Sequence, residues 1–116
     1  MLKSLLRIDE NVRYVCLEGE LDLEAVDVLI ELTLSNCENE KSLVLDLGGV
    51  SFVDSTGIHC LLEIWRQWRQ REKSVQLINV QEDVSEILRL VGLDEFFKVP
   101  GPHENGEVFW KVKKTR

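Results

Sequence analysis

The sequence predicts an α/β fold, in which a mixed, mostly parallel sheet begins with an N-terminal hairpin and has helices packed against it. After two adjacent strand patterns, the spacing of apolar residues alternates between that of helices and that of strands. Such alternation is typical of parallel strands joined by right-handed crossovers. The length of 116 residues suits one domain. We therefore expect a single domain over residues 1–116.

The first two strands are predicted to form the hairpin. Leu5 to Ile8 is a short apolar stretch, and Val12 to Leu17 is rich in β-branched and aromatic residues, which favour strands. A helix is predicted next, with Asp22 as its N-cap. Leu21 and Val26 occupy the two positions of a hydrophobic staple, and apolar residues recur at helical spacing until about Asn36.

A central strand and a second helix are predicted next. Ser42 to Leu47 is nearly all apolar, as in a strand buried on both faces of a parallel sheet. After two glycines, Val50 to Val53 lead into the junction Asp54-Ser55-Thr56-Gly57. Beyond it, one apolar stripe at helical spacing indicates a helix. The stripe contains Ile58, Leu61, Leu62, Trp65 and Trp68.

The last elements are shorter. Val75 to Val80 is predicted to be a strand and Gln81 to Val91 a helix, with Gly92 at its C′ position. Phe96 to Val99 is predicted to be a final short strand. From about residue 100 the chain is atypical. Alternation over Glu107 to Lys114 predicts a strand there, and an extra edge strand, a dimerisation arm (and so a homodimer) and a short terminal helix all stay open.

Charge and composition exclude several classes of function. With 21 acidic and 14 basic residues, the formal net charge is −7, which opposes direct binding to nucleic acid. No apolar run approaches the ~20 residues that span a bilayer, and no signal peptide is evident, so we expect no direct membrane insertion. Three cysteines without a CxxC pair suit the reducing cytoplasm. Nucleotide and zinc motifs are missing, so neither a cofactor nor a metal is expected.

Two junctions stand where a strand ends and a helix begins, which is where function concentrates in open α/β sheets. They are Gly19-Glu20-Leu21-Asp22 and Val53 to Gly57. A phosphate on Ser55 would lie among first-turn N–H groups at the positive end of the helix dipole. It would add about −1.5 to −2 charges and so repel an apolar or acidic partner surface. An ordinary helix cap is the alternative interpretation of these residues.

These motifs resemble the STAS domain of bacterial anti-sigma factor antagonists. The resemblance is carried by three segments in order: Gly19 to Asp22, Leu43 to Ile58, and Leu90 to Val99. It implies a protein that binds an anti-sigma factor with serine kinase activity, and so regulates sigma-factor-dependent transcription. It also implies that phosphorylation of Ser55 ends this binding.

The resemblance implies roles for the residues around Ser55. Asp54 would orient the hydroxyl or cap the helix, and the partner surface would comprise the positions from Asp54 to Ile58, with Asp22 beside them. These are Asp22, Asp54, Ser55, Thr56, Gly57 and Ile58. Two positions depart from the family pattern, because Thr56 stands where a second serine is common and His59 where a small residue is.

Two rival functions stay open. The first is a stand-alone STAS subunit of a membrane transporter or a lipid-trafficking ABC system. The second is a hydrolase that uses Ser55 and His59, but the sequence lacks a GxSxG elbow, and the other histidine, His103, lies in a loop bracketed by proline and glycine. We therefore expect a kinase substrate rather than an enzyme.

The eight acidic residues between Glu18 and Glu40, with no Lys or Arg among them, suit a solvated helix face or attraction to a basic partner.

Overall fold

The computed structural model describes residues 2–97 and 110–112, the last three by their backbone. The elements are, in chain order, β1 (Lys3–Asp9), β2 (Val12–Leu21), a 3-10 turn (Leu23–Ala25), α1 (Val26–Leu34), β3 (Ser42–Val53), α2 (Ser55–Gln70), β4 (Ser74–Val80), α3 (Glu82–Leu90), a second 3-10 turn (Leu93–Glu95) and β5 (Trp110–Val112). No helix within this described part is long and apolar enough to cross a bilayer.

The strands form one sheet in the order β1-β2-β3-β4-β5. β1 is antiparallel to β2, and the other neighbours are parallel, which confirms the predicted mixed sheet with its hairpin. The parallel strands β2, β3 and β4 follow one another across the sheet in chain order. Because right-handed crossovers then place each connecting helix on the same side, the helices lie on one face of the sheet.

The hairpin turns through two residues of positive φ. Glu10 has φ 47° and Asn11 has φ 73°, the combination of a type I′ turn. The turn places Asp9 opposite Val12 and, at the other end, Lys3 opposite Glu18. β1 lies at the end of the strand order, and each of its residues is exposed to solvent.

The core lies between the sheet and the helices. Alternate residues of β2, β3 and β4 are buried, such as Val15, Leu45 and Leu77. Trp68 on α2 is fully buried, and its indole N–H donates to the carbonyl of Thr33 on α1 at 2.9 Å. This bond satisfies the one polar atom of a large apolar side chain and joins the two helices.

Three sequence predictions are corrected by the structure. β3 runs as one strand from Ser42 to Val53, past the predicted end at Leu47 and through the glycine pair. The first helix starts as a 3-10 turn, and the Asp22 side chain makes no capping bond.

The predicted strand at Phe96 to Val99 is also wrong at its described positions. Phe96 and Phe97 follow a 3-10 turn. Phe97 is fully buried, and the Phe96 ring packs edge-on against Trp65 with centroids 5.0 Å apart. Apolar contact with α2, rather than pairing with a neighbouring strand, explains these phenylalanines. Val99 lies outside the described residues.

Two predicted features near the end of the chain are present. Gly92 follows α3 with φ 83°, the left-handed conformation expected at C′. β5 falls within the predicted strand at residues 107–114 and pairs with β4, with Leu77 opposite Trp110 and Val80 opposite Val112.

A buried ion pair connects β2 to the far end of α1. The guanidinium of Arg13 donates to Glu40 at 2.8 Å, to the carbonyl of Leu32 at 2.8 Å and to that of Asn36 at 2.9 Å. Arg13 and Glu40 are only 3% and 4% exposed. Because the charges are paired and the remaining donors meet helix-end carbonyls, the desolvation of the pair is compensated.

We expect Glu40→Ala to lower the free energy of unfolding by about 3–5 kcal/mol, because it leaves the Arg13 charge buried without its counter-ion. Urea denaturation measures this change. The matched control is Glu63→Ala, which breaks an exposed pair with Arg66 and is expected to cost less than about 1 kcal/mol. Equal losses in the two variants would contradict the role given to the buried pair.

Candidate functional site

The two junctions predicted from the sequence meet at one edge of the sheet. β2 and β3 are parallel neighbours, and Leu21 at the end of one lies opposite Val53 at the end of the other. The N–H of Asp54 donates to the carbonyl of Leu21 at 3.2 Å. The chain segments around Asp22 and Asp54 therefore leave the sheet side by side.

Gly57 allows this approach. It is buried, and a Cβ placed on it would lie 2.1 Å from the carbonyl oxygen of Leu21, far inside contact distance. The neighbour that occupies this space is the backbone of β2 in the same chain. Gly57 thus sets the distance between the first turn of α2 and the end of β2.

The cap of α2 is made by Asp54. Its backbone is extended, with φ −103° and ψ −175°, and its Oδ1 accepts the N–H of Gly57 at 3.0 Å. Its carbonyl also accepts the N–H of Ile58 at 2.9 Å. Asp54 therefore satisfies the N-terminus of α2 with both its side chain and its backbone.

Ser55 is the first residue of α2 and is exposed. Thr56 and Ile58 are half-buried on the same first turn, and His59 is exposed one turn later. The positive end of the helix dipole lies at Ser55. The hydroxyl of Ser55 is therefore open to another protein, at the end of the helix that favours an anion.

Sequence reasoning missed two apolar side chains beside this serine. Phe52 is 49% exposed near the end of β3, and Leu23 is 73% exposed immediately after Asp22. The register places Phe52 opposite Glu20, at the same end of the sheet. Leu23 could have been found from its absence from the helical stripe. Phe52 could not, because strand alternation from the buried Val50 would place it on the buried side. The name "Ser55 surface" is used below for Asp22, Leu23, Phe52, Asp54, Ser55, Thr56, Ile58 and His59.

The side chains near Ser55 bear on the hydrolase alternative. The hydrolase alternative needs a histidine side chain that activates the serine hydroxyl, but within residues 2–97 no side-chain hydrogen bond joins Ser55 to His59. Burial, with a smaller effect of Glu63, raises the pKa of the Cys60 thiol, on the buried side of α2, to about 11. No cluster of three or more potential metal ligands occurs in the described part of the chain.

Comparison with known proteins identifies the family. A model of the STAS domain matches residues 4–107. The anti-sigma-B factor antagonist of Bacillus subtilis is 26% identical over 98 residues, which cover 84% of this chain and 90% of that protein. The chain is thus distantly homologous to anti-sigma factor antagonists over most of its length.

Solved structures share the fold. The phosphorylated form of the Bacillus cell fate determinant SpoIIAA has a TM-score of 0.64 at 21% identity, with 81% of this chain and 87% of that one covered. A sulfate transporter family protein from Wolinella succinogenes has a TM-score of 0.73 at 21% identity, with 90% and 80% covered. The fold is therefore shared by proteins named for different functions, and fold alone does not identify the partner.

We expect Gly57→Ala to lower the free energy of unfolding by about 2–3 kcal/mol, because the added methyl forces α2 away from the Leu21 carbonyl. Chemical denaturation measures the loss. The neighbouring Ser55→Ala, at an exposed position, is the control and is expected to change stability by less than about 0.5 kcal/mol. A Gly57→Ala variant as stable as the wild type would contradict the close approach.

Proposed function

The chain belongs to the STAS domain family, and we propose that it is an anti-sigma factor antagonist controlled by phosphorylation of Ser55. In this proposal the unmodified protein binds an anti-sigma factor that has serine kinase activity, and a sigma factor is released. The kinase then phosphorylates Ser55, and the complex dissociates. The protein acts in the cytoplasm as a substrate and binding partner, not as an enzyme, and it uses no cofactor.

One observation carries the proposal: an exposed serine begins a helix whose cap is already provided by another residue. Because Asp54 caps α2 through Gly57, the hydroxyl of Ser55 is not needed to hold the helix end. A kinase can therefore modify it without opening the fold. The dipole of α2 further stabilises an anion at this position by roughly 0.3–1 kcal/mol.

The chemistry of modification is simple. The Ser55 oxygen attacks the γ-phosphorus of ATP bound to the partner, a P–O bond to serine forms, and the bond to the ADP oxygen breaks. The hydroxyl proton passes to a base of the kinase. The product carries about −1.5 to −2 charges where a neutral hydroxyl stood.

The surroundings of Ser55 explain why this charge would end binding. Phe52 and Leu23 offer apolar contact area to a partner, and a phosphate beside such contacts would have to lose its hydration on binding. Asp22 and Asp54 already place negative charge on the Ser55 surface. A partner that binds beside these carboxylates while Ser55 is neutral would meet a larger negative charge after phosphorylation. Phosphorylation would therefore act on binding rather than on folding.

Phosphorylation is tested on protein purified from its native cells. We expect an intact mass increased by one phosphoryl group, lost on phosphatase treatment and mapped by fragmentation to Ser55. Ser55→Ala is expected to abolish the increase. The matched control is Thr56→Ala, which removes the neighbouring hydroxyl and is expected to keep it. Phosphate found only at other residues would contradict the proposal.

Partner binding is tested with the apolar part of the Ser55 surface. We expect Phe52→Asp to prevent recovery of the anti-sigma factor when the tagged protein is isolated from native cells, because a carboxylate replaces an apolar contact. The control is Leu90→Asp, which changes a side chain 85% exposed at the end of α3, away from the Ser55 surface. Thermal unfolding shows whether both variants are folded.

The identity of the recovered partner decides between the two binding functions. A kinase-like anti-sigma factor, lost in Phe52→Asp and in Ser55→Asp, would support the proposal. A transporter ATPase recovered in its place would contradict it and favour the alternative of a STAS subunit of a transport system.

A further inference from the structure

β1 is an edge strand with unusual features. Within residues 2–97 and 110–112, its neighbour on one side is β2 and no strand lies on the other. Leu5, Leu6 and Ile8 are 69%, 41% and 53% exposed. The strand contains no proline, and its pairing with β2 has no bulge. A regular, apolar edge of this kind is a template for pairing with a further strand.

The hairpin determines which backbone groups of β1 point outward. In a two-residue turn the flanking residues, Asp9 and Val12, exchange hydrogen bonds. Bonding to β2 then alternates along β1, so Arg7, Leu5 and Lys3 also face β2. The N–H and C=O groups of Ser4, Leu6 and Ile8 therefore point away from the sheet, toward an incoming strand.

These outward groups restrict how a second copy of β1 can pair in the antiparallel sense. Outward residues must meet outward residues, so the two-fold axis can pass through Leu5, Leu6 or Arg7 but not between two residues. An axis through Leu6 pairs Leu6 with itself and Ser4 with Ile8 of the second copy. This arrangement uses all three outward residues of each strand.

Charge selects the same arrangement. With the axis at Leu6, Lys3 lies opposite Asp9 of the second copy, and Arg7 lies opposite Leu5. An axis at Leu5 would place Lys3 against Arg7, and an axis at Arg7 would place that residue against itself. Like charges directly opposite each other destabilise a strand pair, and opposite charges stabilise it.

We propose that this protein forms a homodimer through antiparallel pairing of β1 with β1 of a second copy, centred on Leu6, which joins the two sheets into one. Main-chain hydrogen bonds provide the affinity, as in other strand additions. The Lys3–Asp9 pairs determine the register. This interface is separate from the Ser55 surface, so the inference does not depend on the proposed function.

Sedimentation equilibrium of the full chain tests the dimer. The weight-average mass is expected to rise with concentration from the 13.4 kDa of one chain toward twice that value. Leu6→Lys is expected to keep the mass at that of one chain, because it places two lysines face to face at the axis. Leu90→Lys, which alters another exposed leucine, is expected to leave the dimer intact. A mass of 13.4 kDa at all concentrations, or a dimer unaffected by Leu6→Lys, would overturn the proposal.

A charge reversal tests the register. Asp9→Lys places a lysine opposite Lys3 of the second copy and is expected to weaken association roughly tenfold. Within its own chain Asp9 faces the uncharged Val12. Adding Lys3→Asp together with Glu18→Lys to Asp9→Lys is expected to restore association, because both cross-axis pairs again join opposite charges and residue 3 keeps an opposite charge across from it on β2. Failure of this triple variant to recover would overturn the Leu6-centred pairing.

Cross-linking provides an independent check of the axis. In a Cys16→Ser background, which removes the exposed thiol of this chain, Leu6→Cys is expected to form a disulfide-linked dimer on mild oxidation, since residues paired across the axis come within disulfide reach. Leu5→Cys is the control and is expected to stay monomeric on a denaturing gel. Cross-linking through Leu5→Cys, without cross-linking through Leu6→Cys, would place the axis elsewhere and contradict the proposal.

Discussion

The contact between Gly57 and the Leu21 carbonyl is the constraint on which the site depends. The end of β2 and the first turn of α2 can come this close because residue 57 has no side chain: a Cβ there would lie 2.1 Å from the Leu21 oxygen. This distance sets the direction in which α2 leaves β3. It also brings Asp22 to the same edge as Asp54 and leaves Ser55 exposed at the start of the helix. A larger residue would have to move α2, and the whole Ser55 surface would move with it.

The interactions that hold the core together lie away from the serine of the proposed switch. Trp68 fixes α2 to α1 from within the core, and the Arg13–Glu40 pair fixes the far end of α1 to β2. Neither interaction touches the first turn of α2. At that turn the cap is made by Asp54, so the adjacent hydroxyl contributes little to the fold. A charge added to Ser55 can therefore change what binds while the folding free energy stays nearly constant, and a binding switch needs this separation.

Much of the fold could be predicted from the sequence because its signals are local. The hairpin, the burial of the central strand, the stripe on α2 and Gly92 at C′ each follow from side-chain type and spacing. The errors arose where tertiary contacts decide. Phe96 and Phe97 suit a strand by propensity, yet Phe97 is buried and Phe96 packs on Trp65. β3 was predicted to end at Leu47, but pairing with β2, in which Glu18 lies opposite Gly49 and Leu21 opposite Val53, keeps its backbone extended to Val53. The exposure of Phe52 likewise depends on the strand register, which spacing alone does not determine.

The geometry of the proposed dimer determines how the Ser55 surfaces of its two copies lie relative to each other. A two-fold axis through Leu6 that joins the sheets edge to edge runs perpendicular to them, so strands of the second copy run in the opposite direction. The carboxyl ends of β2 and β3 in the two copies then lie at opposite edges of the combined sheet. The two Ser55 surfaces face away from each other, and one partner molecule cannot contact both. Each Ser55 would therefore be phosphorylated, and its partner released, independently of the other copy. Pairing through β1 thus supplies two binding sites per assembly without coupling their phosphorylation.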